Sequence, residues 1–149
     1  MDNLSIDGLS LKRLKKIPHP KGEILHALKK GEDSFLKFGE AYFTNINPGE
    51  IKGWKKHNKL ISNLIVPIGE VTFVIYDDRK FSKSYNKFNQ ICLSYKNYKR
   101  LTVDEGLWLG FKGTGNKQNL ILNIASLEHD QNESVDQELS CIPFDWSSV

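Results

Sequence analysis

From Gly22 onward the chain alternates short apolar runs with clusters of Gly, Pro, Asn and Asp: EILHAL (23–28), AYFTNI (41–46), LISNLIVPIG (60–69), VTFVIY (71–76), NQICLSY (89–95), LWLGF (107–111) and NLILNIASL (119–127). Short runs at this spacing, each closed by turn-forming residues, predict an all-β sandwich or barrel. The clearest strand is Val71-Thr72-Phe73-Val74-Ile75-Tyr76, which is β-branched and aromatic and is stopped by Asp77-Asp78-Arg79. Residues 80–87, rich in Ser, Asn and Lys, fit one loop.

The two ends read differently. Over residues 4–17 leucines alternate with Lys12, Arg13, Lys15 and Lys16, which fits either a short amphipathic helix or an edge strand and turn. No aromatic residues interleave with these charges, so the segment reads as a solvated basic face, not as a membrane or RNA patch. After Leu127 the chain turns acidic and weakly periodic, and it is expected to wrap over the sandwich on Ile142, Phe144 and Trp146. No repeat or linker divides the chain. One domain is expected over 1–149, with 1–20 an amino-terminal arm and 128–149 a carboxy-terminal wrap.

Composition narrows the function classes. Hydrophobic residues make up 39% and charged residues 26% of the chain, which excludes a disordered or low-complexity chain. A net charge of +3 and a pI near 8.8 are too mild to mark a nucleic-acid surface. Cys92 and Cys141 stand far apart without metal-ligand spacing and are expected as reduced thiols. There is no secretory signal pattern, and no apolar run approaches the ~20 residues of a membrane span. The protein is therefore expected to be soluble and cytoplasmic. Nucleophile-elbow, phosphate-loop, zincin and dinucleotide fingerprints are all missing from the sequence.

Site-like residues concentrate in Gly49-Glu50-Ile51-Lys52-Gly53-Trp54-Lys55-Lys56-His57. With Ser62 and Gly69, the spacing of Gly49, Lys55 and His57 resembles the first signature of the cupin superfamily. That signature has His at the positions of Lys55 and His57 and Glu at Ser62. Asp104-Glu105-Gly106-Leu107-Trp108-Leu109 resembles the second signature, in which Pro, Gly and a further His stand at Asp104, Gly106 and Leu109. Of the four ligand positions only His57 is kept, and a transition metal needs three or four donors, so no metal is expected.

Within the cupins the chain is most similar to the dTDP-4-dehydrorhamnose 3,5-epimerase family and its ketoisomerase-like relatives. The resemblance runs through PKGEIL, GEAYFTNINPGEIKGWKKH, NLIVPIGEVTFVIYDDR, VDEGLWLGF, EHDQNE and IPFDW, covering 21–146. It implies a jelly-roll β-sandwich, a homodimer, no cofactor and a nucleotide-sugar ligand. It also implies roles for particular positions. Lys21, Gly22 and His26 stand where the family contacts nucleotide or phosphate. Lys52-Gly53-Trp54-Lys55 stands where the family has Arg-Gly-x-His, its phosphate-holding Arg and its proton-abstracting His. Ser62 occupies the place of a lysine that stabilises an enolate oxygen, and Asn123 that of a tyrosine general acid. No counterpart is expected for the aspartate that pairs with the catalytic His.

A protonated lysine cannot accept a proton, which leaves His57 as the best base and Lys55 as a donor to the enolate oxygen. Residues two apart on a strand share a face, so Lys55 and His57 should point one way and Lys56 the other. An ammonium and an imidazole on the inner face would favour an anionic guest, unless Glu40 or Glu70 neutralises them. Trp54 and Trp108 are candidates either to stack on a base or sugar or to pack in the core. Asn63 and Arg79 follow the wording of the ketoisomerase-like relatives, and for Arg79 a structural role is preferred. Two functions stay open: a dTDP-4-keto-6-deoxyhexose epimerase or isomerase, and a non-catalytic carbohydrate- or nucleotide-binding or assembly module.

Overall fold

The computed structural model describes residues 3–149, so the first two residues of the expected arm lie outside it. Alternation of apolar and polar side chains along the strands decides its layers. The strands are β1 (Leu9–Arg13), β2 (Lys16–Ile17), β3 (Ile24–Leu25), β4 (Glu40–Asn45), β5 (Ile51–His57), β6 (Ser62–Ile68), β7 (Glu70–Tyr76), β8 (Phe88–Ser94), β9 (Lys99–Val103), β10 (Trp108–Gly113), β11 (Leu120–Ala125) and β12 (Ser134–Asp136). They form two five-stranded sheets, ordered β1-β9-β6-β11-β4 and β12-β5-β10-β7-β8, and a small β2-β3 ladder. Every ladder is antiparallel. This is a jelly-roll sandwich of the expected class.

Every second residue of the central strands points between the sheets. Leu64, Val66, Val71, Phe73, Ile75, Ile91, Leu93, Leu101, Val103 and Ile121 make the core that joins them. Gly69 is the single residue between β6 and β7, where the chain passes from one sheet to the other. Its φ is +81°, and a Cβ there would lie 2.2 Å from the Gln118 carbonyl oxygen. Only glycine fits that corner.

Of the two readings for the amino-terminal segment, the structure takes the edge strand: β1 pairs with β9 and buries Leu9 and Leu11 against the core. Only Ile24 and Leu25 of EILHAL enter a strand, paired with Ile17 and Lys16 of β2. Pro18, which carries no amide hydrogen, closes the ladder on its turn side, and on the other side the chain departs after the His26 N–H bonds the Lys15 carbonyl. The segment beyond β3 lies on the outer face of the first sheet, held by Arg100. This arginine is fully buried, and its guanidinium donates to the Ala27 carbonyl at 2.7 Å, to Ser34 Oγ at 2.6 Å and to the Glu32 carboxylate.

The tail covers the outer face of the second sheet. Ile142, Phe144 and Trp146 pack on Trp54, Val74 and Trp108, so the expected anchors are the observed ones. This packing also settles where the two site-adjacent tryptophans lie. Trp54 is 1% exposed and donates through Nε1 to the Leu139 carbonyl, while Trp108 is 4% exposed and donates to Asp78 Oδ2. Both take the core alternative, because β5 and β10 turn these positions outward beneath the tail. Residues 77–87 form the connection between β7 and β8, as the single-loop reading of 80–87 requires. Among the described residues no helix is long and apolar enough to cross a membrane.

Candidate active site

Between the sheets lies a cavity of about 300 Å³. One wall comes from β5, which contributes Lys52, Lys55 and His57, together with Leu109 and Phe111 of β10 and Asp136 of β12. The facing wall comes from the other sheet: Tyr42 and Thr44 of β4, Ser62 and Leu64 of β6, and Ile121 and Asn123 of β11. Lys55 and His57 thus share the inner face. Lys56 lies on the other side, with Nζ 3.3 Å from Asp78 Oδ1 and 4.7 Å from the centre of the Trp108 ring.

Strict alternation would turn Lys52 away from Lys55, because the two are three residues apart. The β5–β10 register shifts between Leu109 and Phe111, so that Gly53 and Trp54 together oppose Gly110. This bulge returns Lys52 to the cavity side. Gly53 is required there, since a Cβ would come within 2.9 Å of the Gly110 Cα. Lys52 Nζ donates to the Asn45 carbonyl at 2.9 Å, tying β5 to the end of β4.

The sequence offered no counterpart for the aspartate that pairs with the catalytic His, and the structure supplies His57 with an acidic partner. Its Nδ1 lies 2.8 Å from Glu133 Oε2, and the other carboxylate oxygen accepts the backbone N–H groups of Lys59 and Leu60, each at 2.8 Å. Burial pushes the Glu133 carboxyl up, but the hydrogen bonds from His57, Lys59 and Leu60 outweigh it and hold the group below the usual carboxylate range. With Nδ1–H given to a fixed carboxylate, Nε2 is the ring nitrogen left to accept a proton. The carboxylate that sequence reasoning did not find therefore comes from the turn before β12. Asp136, two strand residues from Ser134, sits 3.1 Å from Lys55 Nζ. That pair is 44% and 73% exposed, too solvated to lock Lys55 in place. Glu133 and Asp136, not Glu40 or Glu70, are the acidic partners of His57 and Lys55.

Across the cavity Tyr42 pairs with Asn123 in the β4–β11 ladder, and Asn123 Nδ2 donates to Tyr42 Oη at 3.0 Å. A phenol therefore stands in the wall beside the position where the family tyrosine was expected to be replaced. The signal for Tyr42 was its alternate placement with Thr44 in AYFTNI. Ser62 is buried in the same wall. Asn63 points the opposite way, accepting from Thr102 Oγ1 at 2.7 Å. Lys21 and His26 do not reach this chain's own cavity: Lys21 is exposed beside the β2–β3 turn, and His26 is tied through its carbonyl to the Tyr98 hydroxyl. Arg79 is taken up by Asp77 and by the Asp7 carbonyl. Among the described residues no group of three or more His, Cys, Asp or Glu side chains is placed to hold a metal ion.

No family model matches the chain. A dTDP-sugar isomerase from Desulfovibrio desulfuricans G20 matches in structure with a TM-score of 0.93 and in sequence at 33% identity, over 97% of this chain and 94% of that one. The chain belongs to the dTDP-sugar isomerase family. A probable low-salt glycan biosynthesis epimerase from Haloferax volcanii is 28% identical over 106 residues, which is 70% of this chain and 66% of that protein's length. The fold extends to more distant proteins. The Legionella pneumophila RmlC epimerase, solved with dTDP-4-keto-L-rhamnose, superposes with a TM-score of 0.82 at 17% identity, over 92% of this chain and 76% of that one. In this isomerase-family chain the cavity opens between the two sheets that the jelly roll brings face to face.

Proposed function

We propose that this protein is a cofactor-independent epimerase or isomerase of a dTDP-linked 4-keto-6-deoxyhexose, serving polysaccharide synthesis. The observation that carries this reading is the His57–Glu133 pair on one wall of the cavity with the Tyr42 hydroxyl on the other. A carbon next to a keto group gives up its proton to His57 Nε2. The C–H electron pair becomes the enolate double bond, and the carbonyl π pair moves onto oxygen, where the Lys55 ammonium can donate. Glu133 stabilises the imidazolium. Return of a proton to carbon from Tyr42 restores the ketone. Tyr42 regains its proton from water and His57 releases one, so no redox partner is needed. Lys52 and Lys55 are cationic donors that suit a diphosphate, Asp136 being a solvent-exposed partner that a ligand phosphate can displace from Lys55.

A thermal-shift titration tests the ligand. dTDP at ~100 times its Kd should stabilise the chain by about 2.7 kcal/mol, because it binds the folded state alone. The Lys55→Ala variant should lose most of that shift. No response of the parent to dTDP, dTDP-glucose, UDP-glucose or phosphate would favour the non-catalytic module and direct the search to protein partners.

We also propose a homodimer. In its support, Lys21 and His26 lie away from this chain's own cavity, in the turn and just past the end of a β2–β3 ladder with Ile17 and Ile24 exposed, and the edge strand β4 leaves Phe43 64% exposed. Sedimentation velocity should show two chains for the parent and one for Ile24→Glu/Phe43→Glu. A monomeric parent at micromolar concentration would reject the assignment.

A further inference from the structure

Asn123 lies on the cavity wall, is 5% exposed, and has one half of its amide occupied and the other half free. Nδ2 donates to Tyr42 Oη at 3.0 Å, whereas Oδ1 is buried with no hydrogen-bond partner among the described residues. Two other buried side-chain atoms share that condition, Arg100 Nε and Trp146 Nε1, and neither residue lines the cavity. Native proteins rarely leave a buried carbonyl oxygen unpaired, and such an atom marks the place of a missing donor. A keto oxygen and a ring oxygen can only accept, so of the polar groups on a keto sugar only a hydroxyl complements Oδ1.

The occupied half of the amide acts on the neighbouring phenol. By giving its N–H to Tyr42 Oη, Asn123 leaves the phenol's own proton without an acceptor among the described residues and free to point at a ligand. The two residues face each other in the ladder, so this contact is set by backbone register and not by a mobile loop.

We infer that Asn123 reads a hydroxyl of the bound sugar through Oδ1 while its amide nitrogen positions Tyr42 for proton donation. This rests on the keto-sugar reading and adds to it a specificity-determining residue at a position where the family resemblance implied only a loss. A sugar lacking that hydroxyl would leave Oδ1 dry in the complex, and such sites reject the deficient ligand strongly.

The test uses the full chain, calorimetric titration with dTDP and with unreactive dTDP-6-deoxyglucose, and turnover of dTDP-4-keto-6-deoxyglucose in deuterium oxide. Asn123→Leu should bind dTDP as the parent does, which also certifies its fold, and bind dTDP-6-deoxyglucose at least ~10-fold more weakly. Tyr42→Phe should keep the sugar affinity and lose kcat. The double variant should turn over no more slowly than the slower single one, because both act through one proton donor. Parent-like sugar affinity in Asn123→Leu, or kcat losses that multiply, would overturn the inference. If the parent binds dTDP-6-deoxyglucose but exchanges no deuterium, the catalytic reading fails and the binding arm alone decides the role of Oδ1. If the parent gains nothing from the sugar over dTDP, both fail.

Discussion

His57→Asn should lower the rate of solvent-deuterium exchange next to the keto group by about 10³, within the 10²–10⁴ that a positioned acid or base contributes. Affinity for dTDP should stay at the parent value. Asparagine keeps a donor that can reach Glu133 and removes the basic nitrogen, so the change isolates proton abstraction from packing. Glu133→Gln offers the matching result through the second member of the pair. Its amide oxygen can still accept from Lys59 and Leu60, yet its charge no longer stabilises an imidazolium, and the expected loss is again ~10²-fold or more. Exchange in His57→Asn above a tenth of the parent rate would mean that another group is the base and would remove the keystone of the proposed reaction.

The sequence showed one half of this site better than the other, for a physical reason. Lys55 and His57 were legible because they are near neighbours on one strand, and the period of a strand fixes their common face without knowledge of its partners. Glu133 and Asp136 belong to the weakly periodic tail, and what brings them to β5 is the pairing of Ser134, Val135 and Asp136 with His57, Lys56 and Lys55. Such a long-range register leaves no local trace. The same holds for Tyr42, which meets Asn123 only because β4 pairs with β11, 81 residues away in the chain. At the level of the fold, the apolar runs marked the strands, and Ile142, Phe144 and Trp146 marked the wrap, since hydrophobic burial is carried by the residues themselves. Arg100 was invisible for the converse reason. Its side chain is charged, and only the carbonyl of Ala27, the Ser34 hydroxyl and Glu32 make its complete burial tolerable.

The largest stability effect is expected at Asp77, whose carboxylate is fully buried at the end of β7. Oδ1 accepts the backbone N–H and Nε of Arg79, at 3.0 and 2.8 Å. Oδ2 accepts from Arg79 Nη2, Ser82 Oγ and Ser84 Oγ at 2.9, 2.7 and 2.6 Å. Arg79 Nη2 reaches on to the Asp7 carbonyl, and Ser84 Oγ accepts the Asp7 N–H, so this one carboxylate clamps the amino-terminal segment to the loop. Asp77→Ala removes the one acceptor shared by Arg79, Ser82 and the buried Ser84 and should destabilise the chain by about 3 kcal/mol. For a chain of this size that lowers Tm by roughly 6–12 °C. Burial raises the Asp77 carboxyl, but the bonds from Arg79, Ser84 and Ser82 prevail and hold it far below the usual range. A carboxylate depressed in the folded state stabilises fully above its unfolded pKa of ~3.9, and that contribution fades as pH falls below it. The gap between parent and Asp77→Ala should therefore be flat above about pH 5 and close progressively below about pH 4. Urea titrations from pH 7 to pH 3 measure it. A gap under 1 kcal/mol at pH 7, or one that persists unchanged into acid, would show that the clamp is held by the loop backbone and not by the charge of Asp77.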